Sequence, residues 1–189
     1  QLCRTMASKQ PGIISKVGLK TYIDPRVEGG RMNKKTKKNI VKLLKINGEE
    51  YLFYQSPKPN FAIIRGSFID EEGYVYMDHE ATTREDLSIA QAVHNNGGVV
   101  VCQFKQKKQS INLNPHLAKI PGFLIDYYVQ DQKQKQTYEI FYDKFRSGEK
   151  KLKNPKLSKI PLDIRKVIAR RAALELKKNN TCKTRNLLL

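Results

Sequence analysis

What this sequence lacks narrows its chemistry before any motif is found. None of its three cysteines, Cys3, Cys102 and Cys182, lies within C-x-x-C reach of another, so neither a zinc site nor a disulfide framework is expected. Its three histidines, His79, His94 and His116, show no HExxH or paired spacing, and each is read as an ordinary helix or loop residue. No metal site is expected. No apolar run approaches the ~20 residues that span a bilayer. The opening QLCRTMASKQPG lacks the basic stretch, long apolar stretch and small-residue cleavage site of a secretory signal. A soluble cytoplasmic protein with no membrane partner is therefore expected. There is also no G-x-S-x-G elbow, no P-loop and no G-x-G-x-x-G after a strand.

Acidic charge is scarce too. The 18 Asp and Glu face 36 Lys and Arg, a formal charge of +18 over 189 residues, which raises nucleic acid or another polyanion as a partner. The cations are scattered through RMNKKTKK, KQKKQ, QKQKQ and EKKLKNPK, with no single stripe of interleaved aromatics. Most are Lys, whereas bidentate recognition of bases and phosphates favours Arg. The preferred reading is a solvated basic surface, with nucleic acid not expected. An acidic, nucleotide-like ligand fits either reading.

What is present reads as an α/β protein. IVKLLKINGEEYLFYQ places apolar residues on both sides of Asn47-Gly48, the dipeptide that suits a two-residue type I′ hairpin. FAIIRGSF and YVYM, separated by a turn at Glu72-Gly73, predict a further pair of strands. Thr82-x-x-Glu85 has capping-box spacing and predicts a helix start, with Leu87, Ile89, Ala90 and Val93 on its apolar face. Asn95-Asn96-Gly97-Gly98 predicts its end. VVVCQF then reads as a strand buried on both faces with Cys102 inside, and FLIDYYV after Pro121-Gly122 as another strand. The polar stretch 131–161 reads as an inter-domain connection. Behind Pro161, Ile164, Val167, Ile168 and Ala172 at helical spacing predict the first helix of a second domain, with Asp163 in its first turn. No covering strand follows this helix.

Two acidic groupings are candidates for chemistry. Asp70, Glu71 and Glu72 beside Gly73 are read as a solvated turn. Glu28-Gly29-Gly30 pairs a carboxylate with glycines that allow close backbone approach; the simpler reading is a polar turn that needs glycine conformations.

Several long segments, in order, carry a specific resemblance: KVGLKTYIDPRVEGGRMN, GEEYLFYQ, RGSFIDEEGYVYMDHEATTREDLSIAQAVHNNGGVVVCQF, KIPGFLIDYYV and IPLDIRKVIARRAALELK. Over about residues 1–178 the chain resembles the acyl-CoA:acetate/3-ketoacid coenzyme A transferases, family I enzymes with two halves fused in one chain, and most of all their propionate or acetate type. The resemblance implies an α/β, CoA-transferase-like fold: a mostly parallel open sheet with flanking helices plus a β-hairpin, here an incomplete first domain. It implies residues 1–130 as the remainder of that domain, 131–161 as the connection, 162–178 as the first helix of the second domain, and 179–189 as a divergent tail. The chain is accordingly expected to be an interior piece of a larger enzyme, marginally stable by itself.

The implied chemistry is transfer of CoA between a short-chain acyl-CoA and a carboxylic acid such as acetate, propionate, butyrate or a 3-ketoacid. A glutamate attacks the thioester and later carries CoA as a glutamyl thioester. Coenzyme A is a substrate, no cofactor is held permanently, and the intact protein is expected to be a homo-oligomer. The nucleophilic glutamate belongs to an E-x-G motif expected beyond this C-terminus, and an oxyanion glutamine is expected upstream of Gln1, so no residue here is assigned a catalytic role and no activity is expected of this chain alone. Glu28 matches a first-domain loop and does not inherit the nucleophile's role. By resemblance that loop lies toward the acyl pocket, which makes Gly18, Thr21, Glu28, Gly29 and Gly30 the candidates for shaping it. Lys20 stands where the family usually has glycine. The alternative is a non-enzymatic truncated product or a basic protein that binds polyanions.

Overall fold

Asn47 and Gly48, at φ 51° and 83°, fold the chain back on itself as a type I′ turn requires. They join β2 (Val41–Ile46) to β3 (Glu49–Gln55) in an antiparallel ladder that starts at Ile46 opposite Glu49. The computed structural model describes residues 1–151 and 161–176. They fall in two compact units, Gln1–Lys150 and Lys151–Leu189. In the first, α1 (Leu2–Ala7) leads into β1 (Gly12–Ser15), which pairs with the other edge of β3 to give a three-stranded antiparallel sheet in the order β1-β3-β2. Leu52 on β3 is completely buried. The segment between β1 and β2 is the 16–40 loop.

A second sheet follows. β4 (Phe61–Ile69), β5 (Val75–Tyr76), β6 (Val99–Lys107), β7 (Ala118–Ile120) and β8 (Tyr127–Gln130) take the order β7-β5-β4-β6-β8. β4, β6 and β8 run parallel, and β5 and β7 extend the sheet antiparallel. The crossover between β4 and β6 is α2 (Asp86–Asn95), whose Ala90 and Val93 pack with Ala62, Ile64, Val100 and Cys102 into the core. The helix, turn and strand read from the sequence are here joined by β4 into a βαβ unit. Gly97, at φ 70°, ends α2 as expected. Gly98 does something else: a Cβ there would lie 2.3 Å from the Asn60 carbonyl oxygen, so only glycine lets β6 start beside β4.

Five expectations need correction. The capping box does not form: α2 starts at Asp86 with Glu85 as its N-cap residue and no side-chain cap, because the Asp86 carboxylate accepts the Arg84 amide at 3.1 Å and Glu85 faces Arg4 at 4.0 Å. Leu87 is 38% exposed and lies off the packed face. β6 is buried on one face only. α2 covers Val100 and Cys102, while Phe61, Ile63 and Val99 on the other face are 55%, 70% and 36% exposed. FLIDYYV becomes a strand only from Tyr127, since Gly122–Leu124 forms a 3₁₀ turn and the Asp126 carboxylate takes the Val100 amide at 2.7 Å. Finally, Asp70 is not solvated: it is 4% exposed, and its carboxylate accepts the Glu72 and Tyr74 amides and the Tyr76 hydroxyl. It braces the β4–β5 turn.

The first compact unit runs to Lys150 and takes in residues 131–150, read from sequence as part of a connection. Gln134 and Gln136, each 5% exposed, hold that strap to the sheet.

In the second unit, α3 (Ile164–Ala173) is capped by Asp163, which lies just before the helix, its carboxylate accepting the Lys166 amide at 2.8 Å. Ile164, Val167, Ile168 and Ala172 on α3 are exposed. The divergent tail, 179–189, lies outside the described residues. Among the described residues no helix is long and apolar enough to cross a membrane.

Candidate functional site

The loop from Lys16 to Gly30 is organised around one carboxylate. Asp24 is fully buried. Its Oδ2 accepts the Lys20 amide at 2.9 Å and Arg26 Nη2 at 2.8 Å. Its Oδ1 accepts the Arg26 amide and Arg26 Nε, both at 3.0 Å. The backbone of Asp24 is equally engaged: its N–H donates to the Thr21 carbonyl, and its own carbonyl accepts the Val27 and Gly29 amides. A buried carboxylate is tolerable only when so fully partnered. The Arg26 guanidinium, aided by the Lys20 and Arg26 amides, holds Asp24 far below the usual carboxylate range.

Arg26 reaches outward as well, its Nη1 lying 2.9 Å from both carboxylate oxygens of Glu50 on β3. The bidentate fork that favours arginine closes on Asp24 through Nε and Nη2, and Glu50 is held by Nη1 alone. A second tie comes from the Tyr54 hydroxyl, which donates to the Val17 carbonyl at 2.5 Å. Gly18, at φ 95°, lies against the same tyrosine, where a Cβ would come 2.4 Å from the hydroxyl oxygen.

All five sequence candidates fall within this hydrogen-bonded loop. The Thr21 hydroxyl donates to the Gly18 carbonyl at 2.8 Å. The Gly29 amide meets the Asp24 carbonyl, and the Gly30 amide meets the Tyr22 carbonyl. Gly29 and Gly30, at φ 63° and 72°, adopt the glycine conformations anticipated for that turn. The fifth candidate, Glu28, is exposed on the same turn, and only its backbone carbonyl is engaged, by the Arg31 amide at 3.3 Å. Sequence reasoning missed Asp24, Arg26, Glu50 and Tyr54. The Asp24-Pro25-Arg26 turn was a legible signal, since Asp accepts the amide two residues on in an Asx turn.

A separate polar cluster gathers at the carboxyl-terminal half of β4. Arg65 donates to the Glu80 carboxylate and to the carbonyls of Lys135 and Gln136. Glu80 also accepts from Ser67 and Gln134, and Gln136 donates to the His79 carbonyl at 2.7 Å. The cavity among these side chains is about 10 Å³, room for about one water and for no substrate. Full satisfaction assigns the cluster to architecture. Beside it, the His79 ring meets Phe68 edge-on at 4.5 Å and Tyr142 at 4.6 Å. A surface depression of about 460 Å³ near the start of α2 is lined by Arg4, Arg84, Glu85 and Lys119, among others, and none of its lining residues belongs to the 16–30 loop. Among the described residues no three His, Cys, Asp or Glu side chains converge as metal ligands.

With this geometry in place, comparison with known proteins decides the family. Residues 1–131 match the coenzyme A transferase family. The chain belongs to it. The chain is 43% identical over 182 residues to the caffeate CoA-transferase of Acetobacterium woodii, covering 95% of this chain and 35% of that protein. It is 41% identical over 179 residues to the acetate CoA-transferase YdiF of Escherichia coli O157:H7. The acyl-CoA transferase structure of that organism, described as a thioester complex with CoA, superposes with a TM-score of 0.83 over 94% of this chain and 34% of that one. Glutaconate CoA-transferase from Acidaminococcus fermentans, at 18% identity and a TM-score of 0.53 over 68% of this chain and 42% of that one, shares the fold. The chain thus spans about a third of the length of the curated relatives it matches. This transferase fold accounts for the βαβ unit, the antiparallel hairpin and the order in which they occur.

Proposed function

We propose that these residues form the acyl-pocket side of a cytoplasmic coenzyme A transferase that moves CoA between a short-chain acyl-CoA and a carboxylic acid such as acetate, propionate, butyrate or a 3-ketoacid. In this reading a glutamate outside the 189 residues attacks the thioester carbonyl, giving a mixed anhydride and releasing the CoA thiolate. The thiolate attacks the glutamyl carbonyl, forming a glutamyl-CoA thioester and freeing the donor's carboxylate. The acceptor acid reverses the sequence and leaves as the new acyl-CoA. A carboxylate nucleophile suits this exchange because each activated acyl bond is traded for another, provided water is excluded.

The role of this chain is to present the loop of Gly18, Thr21, Glu28, Gly29 and Gly30 toward the acyl group, with coenzyme A as a transient substrate and a homo-oligomer as the working assembly. The observation that carries the reading is the 41% identity, at a TM-score of 0.83, with a transferase described with CoA in thioester linkage.

Exchange between acetyl-CoA and ¹³C-labelled propionate, followed by mass spectrometry, tests it. The longest polypeptide carrying this sequence is expected to catalyse transfer, and the 189-residue chain by itself is not. Transfer by the short chain that disappears in Glu28→Ala contradicts this placement of the nucleophile. Salt-dependent DNA binding in place of transfer supports a polyanion-binding protein instead.

A further inference from the structure

Asp24, fully buried in the 16–30 loop with four donors on its carboxylate, has the position of a residue that sets pocket dimensions without touching substrate. We propose that Asp24 is the positioning residue of the acyl-pocket loop, acting through Lys20, Gly29 and the Arg26–Glu50 bridge to fix the loop's distance from β3. This rests on the reading of the 16–30 loop as a wall of the acyl pocket.

Asp24 fixes both arms of the loop at once. Its carboxylate sets the direction of the Lys20 amide, 2.9 Å away, and so keeps Lys20 at φ 62°. Its backbone carbonyl takes the Gly29 amide at 3.0 Å, which sets the glycine turn on the opposite arm. Arg26 lies between Asp24 and Glu50, engaging Asp24 through its Nε/Nη2 fork and Glu50 through Nη1. Arginine's rigid fork makes this a fixed spacer in place of a flexible tether. A wall held in this way measures chain length, because an added methylene meets backbone that cannot retreat. A wall released from Asp24 gives way, and discrimination between acids that differ by one or two methylenes shrinks toward unity.

Two variants and two readouts test the proposal. Asp24→Asn leaves a single side-chain oxygen for four donors, and Glu50→Gln weakens only the outer end of the bridge at a surface position. On the 189-residue chain, hydrogen exchange at the Lys20 and Arg26 amides, the two that the carboxylate accepts, is expected to accelerate in Asp24→Asn by roughly tenfold or more; unchanged protection overturns the proposal. On the longest polypeptide carrying the sequence, the ratio of kcat/KM for butyrate to that for acetate is measured. Both variants are expected to bring this ratio at least about fivefold closer to one, mainly through KM. A purely structural role lowers activity toward both acids alike, so an unchanged ratio overturns the proposal. Absence of transfer to either acid by the unsubstituted protein is a different result, because it contradicts the transferase reading itself.

Discussion

The amide of Lys20 donates to the Asp24 carboxylate at 2.9 Å and leaves a lysine in left-handed backbone at φ 62°. A side chain there costs about 1–2 kcal/mol relative to right-handed backbone, and the loop accepts that cost. Lys20→Gly is therefore expected to stabilise the chain by about 0.5–1 kcal/mol, after allowing for glycine's greater freedom when unfolded. Thermal melting would show this as a rise of roughly 2 °C. A fall would mean that the lysine side chain makes a contact worth more than the strain.

Removing Glu80 tests the architectural cluster. Glu80→Ala leaves Arg65, Ser67 and Gln134 without their shared acceptor; with Glu80 buried but the Arg65 side chain 40% exposed, the loss is about 1–3 kcal/mol, below that of a fully buried pair. Urea denaturation should register a loss of that order, and limited proteolysis should cut first within 131–150, the segment whose Lys135 and Gln136 carbonyls Arg65 holds.

Cys102 is completely buried on β6, and burial pushes its thiol from an ordinary value of 9.0 up to about 12. At pH 8 its thiolate fraction is thus about a thousandfold lower than that of an unperturbed thiol. A thiol reagent should modify half-buried Cys3 in the native chain and reach Cys102 only on unfolding. Rapid native labelling of Cys102 would contradict the packing of α2 on β6.

His79 supplies a pH dependence whose sign is fixed by burial. Desolvation lowers its proton affinity below the ordinary value of 6.5; Lys108 and Lys105 act in the same direction, and Glu149 and Asp78 oppose it. The unfolded chain therefore binds the proton more readily, so this group's contribution to stability is fully present above about pH 6.5 and is lost as the pH falls through the lower folded value. His79→Asn should flatten the decline of Tm on the acid side of neutrality, before the carboxylates begin to titrate. An identical slope in both proteins would refute this assignment.

The elements legible in the sequence were those set by local chemistry. Asn47-Gly48 specifies its own turn, and the run from α2 through Gly97 to β6 carries the helix, stop and strand signals of a βαβ unit. The failures came where tertiary partners intervened. Arg4 and Arg84 supply competing partners around Glu85 and Asp86 that no capping pattern reveals. The strap 131–150 is polar in composition, yet its Gln134 and Gln136 are buried, and Gln134 bonds partners as distant in sequence as Gly66 and Glu80. In the candidate site Gly29 and Gly30 were legible as a turn because positive φ is written in residue type, whereas Gly18 and Thr21 came only from the family resemblance. Asp24 was missed because its role lies in four donors assembled around it, three of them from Arg26, whose Nη1 reaches on to Glu50 across 24 positions.

The proposed transferase role places the nucleophile outside these residues. Peptide mapping of the longest polypeptide carrying this sequence, after incubation with propionyl-CoA, tests it most directly. The account predicts a glutamyl-CoA adduct outside residues 1–189 and none on Glu28. An adduct on Glu28, or on any carboxylate within these residues, would contradict it.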